Sequence, residues 1–158
     1  MERHTSRREF LLAAGGVVAG MGLASAVAVK PVRATPVEMQ EAIRKVVGSA
    51  RVNTGKVKLE LPPLVENGNA APLAVSIESP MTEADHVRVI HVFTEKNPQP
   101  NVASFHLGPR AGRASVATRI RLADTQTVVA ICELSDGSFW SASAGIVVTL
   151  AACLEEGI

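Results

Sequence analysis

Aromatic residues, cysteines and an excess of basic charge are all scarce in this chain. Its 158 residues include four phenylalanines, one tryptophan, no tyrosine and two cysteines. Two cysteines cannot complete a four-ligand zinc site, and they exclude a disulfide-dense scaffold. The residues after Ala34 carry 11 basic and 13 acidic side chains, so they lack the positive field that binding to nucleic-acid phosphates requires. With 47% hydrophobic and 20% charged residues, the composition is that of one globular domain.

Signatures of hydrolytic, nucleotide-binding and metal sites are also missing. The chain contains no G-x-S-x-G and no glycine-rich phosphate loop. His86 and His91 are five residues apart, so they face opposite sides of a regular strand instead of converging on a metal. No His or Met follows Cys153, which excludes the local ligand cluster of a blue-copper site. We therefore predict no metal site, no bound cofactor and no catalytic residue.

The first 34 residues have the pattern of an export signal. Arg7 and Arg8 directly precede a stretch rich in Ala and Gly, residues 11–29, and small residues follow at Val32 and Ala34. This pattern is typical of a twin-arginine signal peptide cleaved after Ala34. A retained membrane anchor is the alternative, since about 19 apolar residues can just span a bilayer. We expect cleavage, a mature chain in the periplasm and no stable membrane insertion, because no second apolar run follows.

The next segment, residues 35–50, carries the signals of one helix. Thr35 is a favourable N-cap, Pro36 suits the first helical position, and Glu38 completes a capping box. Gly48 provides the stop signal. The apolar residues between these signals recur at helical spacing, namely Met39, Ala42, Ile43, Val46 and Val47.

After residue 50 the hydrophobic period changes to two, which indicates strands. Prolines and Asn-Gly or Asp-Gly turns separate the alternating segments, and Ser135-Asp136-Gly137-Ser138 is a hairpin signal. About seven strands and a single helix predict a mainly β fold, an immunoglobulin-like sandwich over residues 51–158. The predicted strands cover residues 57–61, 73–77, 86–93, 102–107, 114–122, 127–134 and 139–153.

Four arginines cluster around the fifth predicted strand, at Arg110, Arg113, Arg119 and Arg121. Such a cluster can attract a small anion such as an oxyanion of sulfur. The alternation of these arginines with apolar residues instead favours a solvated strand face.

The two cysteines differ in their expected surroundings. Cys132 lies in the middle of an apolar strand and is expected in the core. Cys153 lies near the end of the chain, where strand pairing fails and a thiol is exposed to partners and oxidants. In a regular hairpin Cys132 is opposite about Ser141, which leaves Cys153 up to ~40 Å away along an unbroken strand. A disulfide between the cysteines is therefore disfavoured, although Gly145 can fold the chain back.

Several motifs, in order along the chain, resemble the SoxY family. They are residues 61–68 (LPPLVENG), 75–81 (VSIESPM), 97–100 (NPQP), 105–111 (FHLGPRA) and 133–137 (ELSDG). The resemblance runs from the twin-arginine signal to about Cys153. It implies an immunoglobulin-like sandwich paired with a second small β-sandwich subunit, SoxZ. It also implies a carrier rather than an enzyme, whose sulfur intermediates ride covalently on the cysteine of a C-terminal arm, here Cys153. The arm would visit c-type cytochrome, thiol-esterase-like and sulfur-dehydrogenase partners of the periplasmic thiosulfate-oxidising system.

The tail departs from the family pattern. SoxY chains end in Gly-Gly-Cys-Gly-Gly, whereas residues 151–158 here read AACLEEGI. Either Cys153 carries sulfur in this modified setting, or the usual arm is missing from the sequence. A function of another class stays open as the alternative: an exported immunoglobulin-like binding or scaffold module, a degenerate or truncated SoxY paralogue that carries nothing.

Overall fold

The computed structural model describes residues 34–152, which form one helix, nine strands and two short 3₁₀ turns. Within these residues, no helix is long and apolar enough to cross a membrane. The 3₁₀ turns are Gly68–Ala70 and Pro109–Ala111. The helix is α1 (Pro36–Val47), and the strands are β1 (Val52–Thr54), β2 (Val57–Glu60), β3 (Leu64–Asn67), β4 (Ala71–Ile77), β5 (Val87–Thr94), β6 (Asn101–His106), β7 (Ser115–Ile120), β8 (Gln126–Leu134) and β9 (Phe139–Leu150).

The capping signals of helix α1 act as the sequence predicts. The Thr35 hydroxyl accepts from the backbone N–H of Glu38, and the Glu38 carboxylate accepts from the backbone N–H of Thr35 at 2.6 Å. At the other end, the N–H of Gly48 donates to the carbonyl of Arg44. Gly48 has a φ of +61°, a backbone conformation that glycine adopts without steric cost.

The strands form two facing sheets, as expected of an immunoglobulin-like sandwich. The larger sheet has the order β1-β9-β8-β5-β6, with β3 also paired to β9, and the smaller has the order β2-β4-β7. Alternate residues of both sheets point inward, which follows from the two-residue period of the sequence. The core between the sheets includes Leu73, Val75, Ile90, Val92, Val128 and Cys132.

Helix α1 covers the outer face of the larger sheet and makes a second apolar cluster there. Its buried face, Met39, Ile43 and Val47, packs against Phe93, Ile131 and Phe139 of the sheet. Strand β5 is therefore buried on both faces, and it confirms the strand predicted at residues 86–93.

The sequence analysis missed two strands. All seven predicted strands are present, while β1 and β3 are additional. Both pair in parallel with β9, with Val52 opposite Phe139 and Leu64 opposite Val147. Strand β1 has only three residues, and the sequence of β3 (LVEN) does not alternate between apolar and polar residues. The residues of β9 with which they pair lie more than 80 positions away.

The register of the last hairpin differs by one residue from the prediction. Cys132 pairs with Trp140 and not with Ser141. The turn is a three-residue loop, one residue longer than the two-residue loop that we assumed. The N–H of Gly137 donates to the carbonyl of Leu134, and the N–H of Leu134 donates to the carbonyl of Ser138. Gly137 has a φ of +79°, which is typical of a loop that closes with a glycine bulge.

Candidate functional site

The predicted site residues fall partly inside the described structure. Cys153, Arg7 and Arg8 lie outside the described residues, so their roles stay predictions. Ala34, the predicted last residue of the signal peptide, is buried, and its N–H donates to the carbonyl of Asn97 at 3.2 Å.

Cys132 occupies the sandwich core, as the sequence predicts. Its side chain has no exposed surface, and it is a free thiol. Burial raises the pKa of Cys132 to about 12, because the charged thiolate loses its hydration in an apolar environment. The thiolate that acts as a nucleophile is therefore disfavoured near neutral pH, and the buried sulfur offers no surface to a reactant. Cys132 is therefore inert in the folded protein.

The chain remains held to the sandwich up to the residue before Cys153. Strand β9 ends at Leu150, yet Ala152 is buried, and its N–H donates to the carbonyl of Leu122 at 3.0 Å. Gly68 lies against this part of the chain. It directly follows strand β3, which pairs with β9. The N–H of Leu122 in turn donates to the carbonyl of Gly68 at 2.8 Å. Cys153 thus follows a fixed point of the fold.

The arginines of the sequence cluster separate into two groups. Arg110 and Arg113 lie on the turn before β7, while Arg119 and Arg121 line a cleft of about 320 Å³. All four are exposed, and none of them makes an ion pair within residues 34–152. The arginines therefore lie on a solvated face, as their alternation with apolar residues predicts. Part of that face borders a cleft. The other lining residues are Asn97, Val102, Ala103, Phe105, Thr118 and Ile120.

Asn97 joins three segments at one end of this cleft. Its amide donates to the carbonyl of Arg121 at 2.7 Å, and its Oδ1 accepts from the N–H of Ala123 and from Gln126 Nε2. Asn97 is 7% exposed, so these bonds form away from water and fix the path of the chain between β7 and β8.

A serine and a histidine are paired on the outer face of the larger sheet. His91 and Ser104 are directly opposite on β5 and β6, and His91 Nδ1 lies 2.8 Å from Ser104 Oγ. Burial and the nearby His106 lower the pKa of His91, while Glu133 acts in the opposite direction. The sequence analysis missed this pair because only the strand register brings the two residues together. Across residues 34–152, no three His, Cys, Asp or Glu side chains lie close enough to hold a metal ion.

Comparison with known protein families assigns the chain to one of them. The sequence profile of the family described as sulfur oxidation protein SoxY matches residues 43–153. The chain belongs to the SoxY family. The matched region begins within helix α1 and ends on Cys153, so it includes the whole sandwich.

Solved structures agree with this assignment. The SoxY sulfur carrier protein of Chlorobium limicola f thiosulfatophilum is 28% identical, with a TM-score of 0.60 over 72% of this chain and 98% of that chain. A superoxide reductase (neelaredoxin) of Ignicoccus hospitalis is 22% identical, with a TM-score of 0.54 over 74% of this chain and 95% of that chain. The likeness to the superoxide reductase shows a shared fold only. A search of curated protein sequences finds no match.

Proposed function

We propose that this SoxY-family protein carries sulfur intermediates of thiosulfate oxidation covalently on Cys153. The observation that carries the proposal is the complete burial of Cys132, because the chain has only one other cysteine. That cysteine is the last residue of the match to the family. It also directly follows Ala152, which is hydrogen-bonded to the sandwich.

Loading of the carrier is an oxidative coupling. The Cys153 thiol loses its proton and forms an S–S bond with the terminal sulfur of thiosulfate, which gives Cys–S–S–SO₃⁻. Two electrons leave in this step, and a c-type cytochrome partner accepts them. Thiol-esterase-like and sulfur-dehydrogenase partners act on the bound group afterwards. The step needs a thiolate that a partner can reach, a condition that Cys132 does not meet.

The protein functions as a heteromer with a SoxZ-like sandwich in this proposal. Residues 34–152 have four exposed large apolar side chains, and three of them, Leu64, Val147 and Leu150, lie on β3 and β9. Leu64 and Val147 are opposite each other in the parallel register, so they form one apolar patch. Adjacent exposed apolar side chains are typical of a protein–protein contact, and this patch is the surface that we assign to the SoxZ-like partner.

The place of action is the periplasm, reached by twin-arginine export. Arg7-Arg8 and the small residues Val32 and Ala34 support this route. Cleavage after Ala34 leaves Thr35 at the N-terminus, where its nitrogen lies 2.6 Å from a Glu38 carboxylate oxygen. The new α-ammonium group then forms an ion pair with Glu38, so the cut is compatible with the helix cap.

Intact-mass analysis of the mature protein from thiosulfate-oxidising cells tests the carrier function. We expect a mass increase of one S₂O₃ group, removed by a thiol reductant and absent from Cys153→Ser. Cys132→Ala is the matched control and should load as the wild type does. An adduct that persists in Cys153→Ser contradicts the site. A thiol on Cys153 that never acquires sulfur, while the protein still binds a SoxZ-like chain, supports the scaffold module instead.

A further inference from the structure

We infer that the free edge of strand β7, at Ser115, Ala117 and Arg119, binds an extended segment of a partner protein in which acidic and apolar residues alternate. The segment adds to the smaller sheet as a further strand, and its acidic side chains contact Arg119 and Arg121. Sulfur carriage by Cys153 is not required for this contact.

Strand β7 leaves one row of backbone hydrogen-bonding groups without a partner. It is the last strand of the smaller sheet and pairs with β4 alone. The N–H of Ile77 donates to the carbonyl of Ala114, so alternate residues from Ala114 onward direct their backbone groups towards β4. The intervening residues direct theirs away from the sheet. Across residues 34–152, nothing is hydrogen-bonded to the outward-directed groups of Ser115, Ala117 and Arg119.

Asn97 occupies the next position along this row. Its side-chain amide donates to the carbonyl of Arg121 at 2.7 Å, and Arg121 is the outward-directed residue after Arg119. The row can thus accept a donor from outside the sheet. Residues 115–119 remain open, and neither proline nor glycine interrupts them. Proline is one device by which proteins protect an exposed edge, and five residues are enough for a paired strand.

The two faces of β7 determine which side chains an added strand needs. Inward-facing residues of β7 are half-buried or buried, and the alternate residues are exposed. On the inward side, the cleft of about 320 Å³ between β6 and β7 is lined by Val102, Phe105 and Ile120 among others. Apolar side chains of an added strand fill this cleft. The alternate side chains of that strand lie beside the exposed residues of β7.

The exposed side of the edge favours acidic side chains. Arg119 and Arg121 line the cleft, no acidic side chain is among its lining residues, and neither arginine has an ion-pair partner within residues 34–152. Arg119 also lines a groove of about 990 Å³ on the smaller sheet, where Glu60 is already paired with Lys58. Opposite charges on neighbouring strands stabilise their pairing, and like charges oppose it. The arginines therefore attract an acidic strand and repel the equally basic edge of a second copy.

Amide hydrogen exchange of the mature protein, measured by NMR, tests the inference with the capped peptide (Glu-Val)₃ as the probe. In the protein alone, the amides of Ser115, Ala117 and Arg119 should exchange fast, and those of the intervening residues of β7 slowly. The peptide should slow exchange of the first set in a saturable manner and leave the second set unchanged. The peptide (Lys-Val)₃ is the matched control and should protect none of them.

Charge reversal measures the contribution of the two arginines. Arg119→Glu/Arg121→Glu should weaken peptide binding at least about ten-fold, because attraction between opposite charges becomes repulsion. Arg51→Glu/Arg110→Glu is the control, since it makes the same change of charge at exposed residues outside the cleft and should bind as the wild type does. Undiminished binding by the first variant overturns the inference.

Proline substitution separates strand addition from simple attraction between charges. Ala117→Pro removes an outward-directed N–H and no bond to β4, a position at which edge strands tolerate proline, and it should abolish binding. His106→Pro is the control on the edge of β6, where the N–H of Leu107 donates to Arg88 and that of His106 points outward; it should bind normally.

Several outcomes overturn strand addition at β7. They are full binding by Ala117→Pro, protection of the amides of β6 in place of those of β7, equal protection by (Lys-Val)₃, and no saturable protection at all. Edge amides that become protected as the protein concentration rises, without peptide, assign the edge to a second copy and also overturn it. Should Ala117→Pro not fold, protection of alternate residues in the wild type decides the matter. Intact mass measures sulfur loading separately, so failure of one proposal leaves the other standing.

Discussion

Gly68 lies so close to Leu122 that a Cβ at residue 68 would stand 2.4 Å from the Leu122 carbonyl oxygen. The same Cβ would be 2.8 Å from the backbone nitrogen of Ala152 and 3.0 Å from the Leu150 oxygen. All three neighbours are backbone atoms, which cannot move aside as a flexible side chain does. Only a residue without a side chain therefore allows the end of β9 to meet the loop after β7.

We predict that Gly68→Ala lowers the free energy of unfolding by about 1–3 kcal/mol, the usual cost of overpacking. Gly145→Ala is the control, because a Cβ at that glycine of β9 meets nothing within 4 Å. Urea unfolding followed by circular dichroism measures both. Equal stability of the two variants would contradict the close approach at Gly68.

Asn97 should be among the polar side chains on which stability depends most. Asn97→Ala removes three hydrogen bonds and leaves the N–H of Ala123 and the amide of Gln126 buried without that acceptor. We predict a loss of about 2–4 kcal/mol in the free energy of unfolding. The exposed Asn101 makes only side-chain bonds of 3.4 Å to Ser104, and Asn101→Ala should change stability by less than about 0.5 kcal/mol.

His91 should make the protein less stable in mild acid. Its pKa is lowered in the folded state, first by burial, so below about pH 6.5 the unfolded chain takes up the proton more readily than the folded one. The stability contributed by the neutral imidazole is complete above that pH and declines as the pH falls. Unfolding free energies between about pH 7.5 and pH 5.5 should show this decline in the wild type and a weaker one in His91→Gln. His86→Gln is the control, and it should keep the wild-type decline.

The fold was largely predictable from local pattern, whereas the contacts around the candidate site were not. Period-two alternation locates each strand of four or more patterned residues, and the capping box of Thr35 and Glu38 locates the helix. Asn97 looks like an ordinary loop residue beside Pro98, and nothing local indicates that its side chain is buried between distant segments. The His91–Ser104 pair depends on the β5–β6 register, and the cleft beside Arg121 depends on how the two sheets face each other. Such features arise from long-range packing.

The apolar patch on β3 and β9 gives a prediction about assembly. Leu64 is 51% exposed, and Leu64→Asp should weaken binding of a SoxZ-like chain at least about ten-fold, a cost of about 1.4 kcal/mol. Val37 on helix α1 is equally apolar and 67% exposed, so Val37→Asp serves as the control and should bind normally. Isothermal titration of purified subunits measures both affinities. Undiminished binding by Leu64→Asp would place the partner elsewhere.

Export provides a prediction about the N-terminus. N-terminal sequencing of periplasmic protein should begin at Thr35, and replacing Arg7 and Arg8 with lysines should retain the precursor in the cytoplasm. A normal periplasmic level in the double-lysine variant would contradict the twin-arginine route. A mature chain that still contains Ala34 would contradict the cleavage site only.

The pairing of strand β9 has a mechanical consequence for the carrier function that we propose. Its first half is bonded to β8 on one edge and to β1 on the other, and its last residues are bonded to β3. Tension applied to the tail along the strand axis loads these hydrogen bonds together in shear, and the Ala152–Leu122 bond lies at the end of the same line. A pull on the chain at Ala152 is therefore shared by several strands, and the sandwich resists unfolding under it.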